Sequence, residues 1–343
     1  PFNGGAPSEE AVLLSPDGRS VAGDTSMQAA PVEDLATRFG TAVLDLVTGQ
    51  VRAFDAGVPV AWAPDGRTLL TRSTEPDRLR TLDPTTGAVR ELLTLPYRAP
   101  SASFVAFSPD GRQVALQLGQ TVHIVDLSTG TSRPLADIGP DRRLAGAGAW
   151  LPEGQLALWR MAGCAHDCDP TELNDRRLTI TYVDSRTGVE VPGPHLDALT
   201  GLGARLLGWQ VDGDAVVEVF AAGEVAPQAT IGRSWLSDDT DLAGQAPRVL
   251  ALHPGGSQEE LLALPDDARQ VQVAGELLRA DRFGGPSPNL ATRVADWLGP
   301  KRWTVSAVAL LVLAVVTLMV VRRRRKAASQ GRSPARTRFA DAD

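Results

Sequence analysis

The chain has 343 residues, 43% of them hydrophobic, with 33 glycines and 25 prolines spread along its length. It is too long for most single compact cores, and it implies many turns, as in a repeat architecture or a large β-barrel, rather than a disordered tract. The net charge is −7, but residues 322–343 carry eight cations against two aspartates, a balance of +6 that leaves −13 on the rest, and a basic end on an acidic body argues against nucleic acid as the body's partner.

In chain order, the first signal is an apolar run, AVLL, leading into Ser15-Pro-Asp-Gly-Arg19. The turn returns as Ala63-Pro-Asp-Gly-Arg67 and Ser108-Pro-Asp-Gly-Arg112, with worn copies at Trp150-Leu-Pro-Glu-Gly154 and Gln210-Val-Asp-Gly213. Asp-Gly between apolar runs predicts a hairpin, because glycine takes positive φ without a Cβ clash. The proline presets one φ and cannot continue a ladder. A second turn, D-x-x-T-G, interleaves at Asp45–Gly49, Asp83–Gly87, Asp126–Gly130 and Asp184–Gly188, with a looser version at Leu252-His-Pro-Gly-Gly256. Its Asp or Thr side chain can bond nearby backbone N–H groups. The flanks TAVLDLV, VHIVDLS and LTITYVD alternate as strands should. Turn formation accounts for Asp17, Asp65 and Asp110, which are not read as catalytic.

Each repeat thus reads as two hairpins, four short strands in about 40–50 residues, the spacing of a propeller blade. The pair of motifs resembles the WD40-like repeat of TolB-type β-propellers, over residues 11–281. The resemblance implies an all-β fold with the propeller in residues 1–281. Five repeats are complete, and VQVAGELLRAD at 271–281 reads as one further hairpin. A closing blade in that family is often shared between the chain ends, so six blades are expected, completed by residues before Phe2, with five and seven left open. The chain begins at Pro1 without Met, which suggests a processed or truncated N-terminus.

Loops joining strands two and three leave the ring opposite both turns. Three are long, at about 23–38, 161–176 and 221–246, and a rigid scaffold carries function on such loops. The 161–176 loop holds the chain's two cysteines, Cys164 and Cys168, with His166, Asp167 and Asp169. A local disulfide, free thiols and a metal site are the three readings, and the metal reading lacks a second ligand pair. The 221–246 loop holds Trp235, Asp238, Asp239 and Asp241, which read as a solvated acidic loop or a Ca²⁺ site without the glycine of an EF-hand. No cofactor is expected. The sequence contains no G-x-S-x-G elbow and no phosphate loop, and His123 alternates with Val122 and Ile124 as a strand residue. All basic residues but Lys301 and Lys326 are arginine, which reads as genome composition and not as chemistry.

Residues 282–303 read as a linker with a short juxtamembrane helix. Residues 304–321, TVSAVALLVLAVVTLMVV, form an 18-residue stretch without charge, Pro or Gly. As a helix it would span roughly 27 Å, about one hydrocarbon core. Trp297 and Trp303 stand before it as interfacial anchors, and Arg322, Arg323, Arg324, Arg325 and Lys326 follow. The positive-inside rule then puts the tail 322–343, read as disordered, in the cytoplasm and the body outside. The expected function is a membrane-anchored, extracytoplasmic propeller that binds a protein, peptide or envelope ligand through its loop-rich face without catalysis. The alternatives are a propeller enzyme, a lactonase or hydrolase with a central-channel site, and a structural subunit of a membrane complex.

Overall fold

The computed structural model describes residues 12–24, 40–74, 77–95, 104–164, 172, 175–220, 248–264 and 271–280. Among these, five antiparallel sheets follow one another along the chain. Blade 1 comprises β1 (Val12–Leu14), β2 (Ser20–Asp24), β3 (Thr41–Asp45) and β4 (Val51–Phe54). Blade 2 comprises β5 (Val58–Trp62), β6 (Leu69–Thr74), β7 (Asp77–Leu82) and β8 (Val89–Thr94). Blade 3 comprises β9 (Val105–Phe107), β10 (Gln113–Leu118), β11 (Thr121–Asp126) and β12 (Ser132–Asp137). Blade 4 comprises β13 (Arg142–Leu144), β14 (Gln155–Ala162), β15 (Arg177–Asp184) and β16 (Glu190–Val191), with β17 (Leu199–Thr200) also paired to β15. Blade 5 comprises β18 (Gly203–Trp209), β19 (Ala215–Phe220), β20 (Arg248–His253) and β21 (Ser257–Ala263). This is a β-propeller of five described blades, each a four-strand meander.

The core lies in layers between blades. Leu13, Ala22 and Val43 of blade 1 pack with Leu69 and Leu82 of blade 2. Val60, Leu70 and Leu79 of blade 2 meet Val105, Val114, Leu116 and Val125 of blade 3. A larger cluster joins blades 3, 4 and 5 through Ile124, Leu158, Trp159, Leu206 and Val217. Middle strands are therefore buried on both faces: every residue of β19 is buried, the carboxylate Glu218 among them. Outer strands carry the exposed residues, as Val51, Arg52 and Ala53 do on β4.

The sixth blade expected from the sequence is not formed by residues 271–281. Instead of a hairpin, Gly275–Arg279 forms a short helix, α1. The alternating pattern VQVAGELLRAD misleads because its glycine opens a helix here and does not turn a strand. Ala274 caps it in extended backbone, and Glu276 in the first turn and Arg279 in the last suit the helix dipole. The segment bridges blade 5 to blade 1. The Val271 N–H donates to Glu218 Oε1 at 2.8 Å, and the Glu276 N–H donates to the Pro16 carbonyl at 3.0 Å. Leu278 packs on Gly208, where a Cβ would stand 2.6 Å from Leu278 Cδ1. The residues before Val12 lie outside the described residues.

The linker, the apolar stretch 304–321 with Trp297 and Trp303, and the tail with Arg322–Lys326 also lie outside the described residues. Among the described residues no helix is long and apolar enough to cross a membrane.

Candidate functional site

The turn end of the ring is built from self-contained hydrogen bonding. In Ser108-Pro-Asp-Gly-Arg112 the Ser108 hydroxyl donates to Asp110 Oδ1 at 2.6 Å, and the Arg112 N–H donates to the same oxygen at 3.0 Å. Gly111 has φ +69°, a conformation only glycine takes without strain. These bonds hold Asp110 below the usual carboxylate range, the Ser108 hydroxyl foremost. In the second turn Asp126 Oδ1 accepts from the Ser128 and Thr129 N–H groups at 2.9 and 3.0 Å, and Asp184 accepts from Arg186 and Thr187 at 3.0 and 2.7 Å. The repeated aspartates thus serve their own turns. His123 is a strand residue whose Nδ1 lies 3.4 Å from the Ser132 hydroxyl, and burial lowers its pKa.

Three arginines tie neighbouring blades together. Seven residues after the turn Asp, three blades place an arginine that reaches the next blade's turn. Arg52 Nη1 donates to the Pro84 and Thr85 carbonyls at 2.6 and 2.7 Å. Arg90 donates to the Leu127 and Ser128 carbonyls, and Arg133 to those of Ser185 and Arg186. The spacing D-x-x-T-G-x-x-R was present in the sequence as the signal. Blade 4 has Val191 at this position and docks blade 5 differently, with the Gly255 N–H donating to the His195 carbonyl at 3.2 Å.

In blade 5 both turns have changed charge. By strand register His253 stands where the other blades have the turn aspartate, and Asp214 stands where blades 1, 3 and 4 have Ser20, Gln113 and Gln155. The two meet, His253 Nδ1 to Asp214 Oδ2 at 2.5 Å, with Glu259 Oε2 at 3.8 Å from Nε2. Burial, with the neighbouring Asp212 charge, raises the Asp214 pKa against the pull of His253. The pair ties the two turns of blade 5 together.

At the opposite end lie the strand-two to strand-three connections. Residues 25–39, 165–171 and 221–247 fall outside the described residues, and with them His166, Asp167, Asp169, Trp235, Asp238, Asp239 and Asp241. Their bases are described. Cys164 is disulfide-bonded, and the chain's only other cysteine, Cys168, lies outside the described residues. Arg176, itself buried, donates from Nε to the Cys164 carbonyl at 2.7 Å and from Nη1 to the Leu202 carbonyl at 3.3 Å. Burial lowers its pKa. Arg143 Nη2 donates to the Ala204 carbonyl at 2.8 Å, so two buried guanidiniums anchor the base of this face.

A cavity of about 190 Å³ lies on the ring axis. First strands from four blades line it: Leu13 and Leu14 from β1, Val60, Ala61 and Trp62 from β5, Val105 and Phe107 from β9, and Arg205, Leu206 and Leu207 from β18. Ala147 of blade 4 and Gln272, Val273, Gly275 and Arg279 of the closing segment complete the wall. Pro16 and Pro64, the prolines of two P-D-G turns, border it as well. Arg205 is held by the buried Glu218, whose Oε2 lies 2.8 Å from Arg205 Nε. Burial pushes the Glu218 carboxyl up, against Arg205 and the Val271 N–H. Trp62, Arg205, Glu218 and Arg279 were not legible as a site, because only ring closure brings them together. Among the described residues no group of three His, Cys, Asp or Glu side chains is arranged to hold a metal.

No family model matches the chain, and no curated relative does. Among solved structures it is similar to Kuenenia stuttgartiensis hydrazine synthase, at 14% identity over 78% of this chain and 71% of that one, with a TM-score of 0.45. It is similar to TolB from Acinetobacter baumannii at 15% identity, with a TM-score of 0.41, over 75% of this chain and 53% of that one, so it spans about half of that protein. Pyrococcus horikoshii acylaminoacyl peptidase matches at 11% identity over 74% of this chain and 40% of that one, with a TM-score of 0.45. These proteins differ in what they do, and no activity passes from them to this chain.

Proposed function

We propose that the chain is a non-enzymatic propeller of TolB type that binds a protein, peptide or envelope ligand through the loops opposite its repeated turns. In this reading the apolar stretch 304–321 anchors it in the cell membrane, with the ring outside and the basic tail in the cytoplasm. One observation carries the binding role. The topology sends three long, unlike connections from one end of a ring whose strands are rigid and whose repeated polar groups are already committed. The wholly buried β19 leads into the 221–247 connection, and Arg176 pins the base of the 165–171 connection. Such a scaffold holds variable loops in fixed relative positions, which lowers the ordering cost of binding. The described cavity wall, apolar with two guanidiniums and one amide, suits binding over acid–base work.

The test is affinity capture of the membrane-embedded protein, repeated with the 161–176 and 221–246 loops shortened. The reading expects partners that the intact protein retains and the shortened one loses. Recovery of the same partners by both would overturn it. A cysteine placed in the tail should resist an impermeant thiol reagent in intact cells, and ready labelling would reverse the orientation.

A further inference from the structure

We propose that the axial cavity is a binding site for a small apolar molecule bearing one carboxylate, held by its apolar end among Leu13, Val60, Trp62 and Phe107 and by its charged end on Arg279. The site is distinct from the loop face. The first observation is the composition of the wall: the groups contributed by β1, β5 and β9 are all apolar apart from the Trp62 indole N–H, and that donor is taken by the Leu13 carbonyl at 3.1 Å. A ligand group there must therefore be apolar, since any polar atom would lose water and find no partner.

The second observation is where the charge lies. Both cations of the wall stand on the side formed by β18 and the closing segment. Arg205 is already neutralised by the buried Glu218. Arg279 is exposed in the last turn of α1, and its guanidinium folds back toward Gly275, where a Cβ would lie 3.5 Å from Nη2. No carboxylate lines the described wall. An arginine fork beside a low-dielectric wall favours a planar carboxylate over a neutral or cationic head. A cavity of about 190 Å³ sets the scale at a short-chain acid, not a folded partner.

The probe is octanoate, titrated into the full detergent-solubilised chain and followed by tryptophan fluorescence and calorimetry, with octanol and octylamine as matched controls. Octanoate is expected to bind about tenfold tighter than octanol and to weaken with salt, as a charge-assisted contact should. Arg279→Gln should bring octanoate to the affinity of octanol. Ala147→Phe should abolish binding of both by filling the cavity. Both side chains are exposed, so neither change removes a core contact. Absence of octanoate binding, equal binding of octylamine, or octanoate affinity unmoved by either substitution would overturn the proposal. None of these results bears on whether loop shortening releases a macromolecular partner, so the two readings fail separately.

Discussion

Arg133 of blade 3 donates from Nη2 to the backbone carbonyl of Ser185 in blade 4 at 2.6 Å, and Nη1 reaches the next carbonyl, that of Arg186, at 3.2 Å. The same fork recurs from Arg90, and Arg52 reaches the two equivalent carbonyls from Nη1 alone, so an arginine crosses three of the junctions between blades. A guanidinium can bridge two successive carbonyls, whereas an ammonium has no fixed fork. Replacing any one of Arg52, Arg90 or Arg133 by Ala should cost about 1 kcal/mol in urea unfolding, and Lys should recover only part of it. Equal stability of all three Ala variants and the parent protein would show that the forks are incidental.

Gly130 and Gly49 separate backbone strain from contact between blades. Both have positive φ, at +71° and +72°. A Cβ on Gly49 meets nothing within 4 Å, but one on Gly130 would lie 2.4 Å from the Leu92 carbonyl oxygen of the preceding blade. Gly49→Ala should therefore cost only the left-handed penalty, about 1–2 kcal/mol. Gly130→Ala adds a backbone clash and should cost more, about 3 kcal/mol or above. Matching denaturation midpoints for the two variants would contradict the docking of this turn against blade 2.

The turn carboxylates set a pH dependence of definite sign. Bonds from the Ser128 hydroxyl and the Thr129 N–H hold Asp126 below the ordinary carboxylate range, and Asp110 is lowered in the same way. A folded pKa below the unfolded one gives stability that is present above the unfolded value and lost as pH falls through the folded value. The gap in urea midpoint between the parent and Asp126→Asn should be full at neutral pH and close below about pH 4. A gap independent of pH would remove the carboxylate's charge from the account.

Ring closure depends on a buried ion pair. Glu218 accepts from Arg205 and from the Val271 N–H, which ties the closing segment to blade 5. Arg205→Met leaves a carboxylate buried without its cation and should cost about 3–5 kcal/mol at neutral pH. Burial raises the Glu218 pKa. A raised carboxylate pKa means that stability falls as pH rises from the unfolded value through the folded one. The penalty of the variant should therefore shrink as the medium is acidified, and a penalty that grows toward acid would contradict this closure.

The blade architecture was legible because its turns are local: built from Pro, Asp, Gly and hydroxyl residues, the unworn turns close within five residues, and Ser108 with Asp110 satisfies one of them without help from afar. The closure was not legible. Val271–Arg279 alternates like a strand, and only contacts with Pro16, Gly208 and Glu218, remote in sequence, select the helix. The arginine forks lay between these cases, visible as a fixed spacing but meaningless until the next blade stood beside them. The axial cavity needed all five blades at once, so no local pattern announced Trp62 or Arg279.

In the proposed function partners meet the loop end and not the turn end. A photo-crosslinking side chain placed at Trp235, in the connection between β19 and β20, can be compared in living cells with one at Val47, which is 75% exposed on a blade 1 turn. A discrete adduct is expected from position 235 and none from position 47. Adducts from position 47 with none from 235 would contradict it.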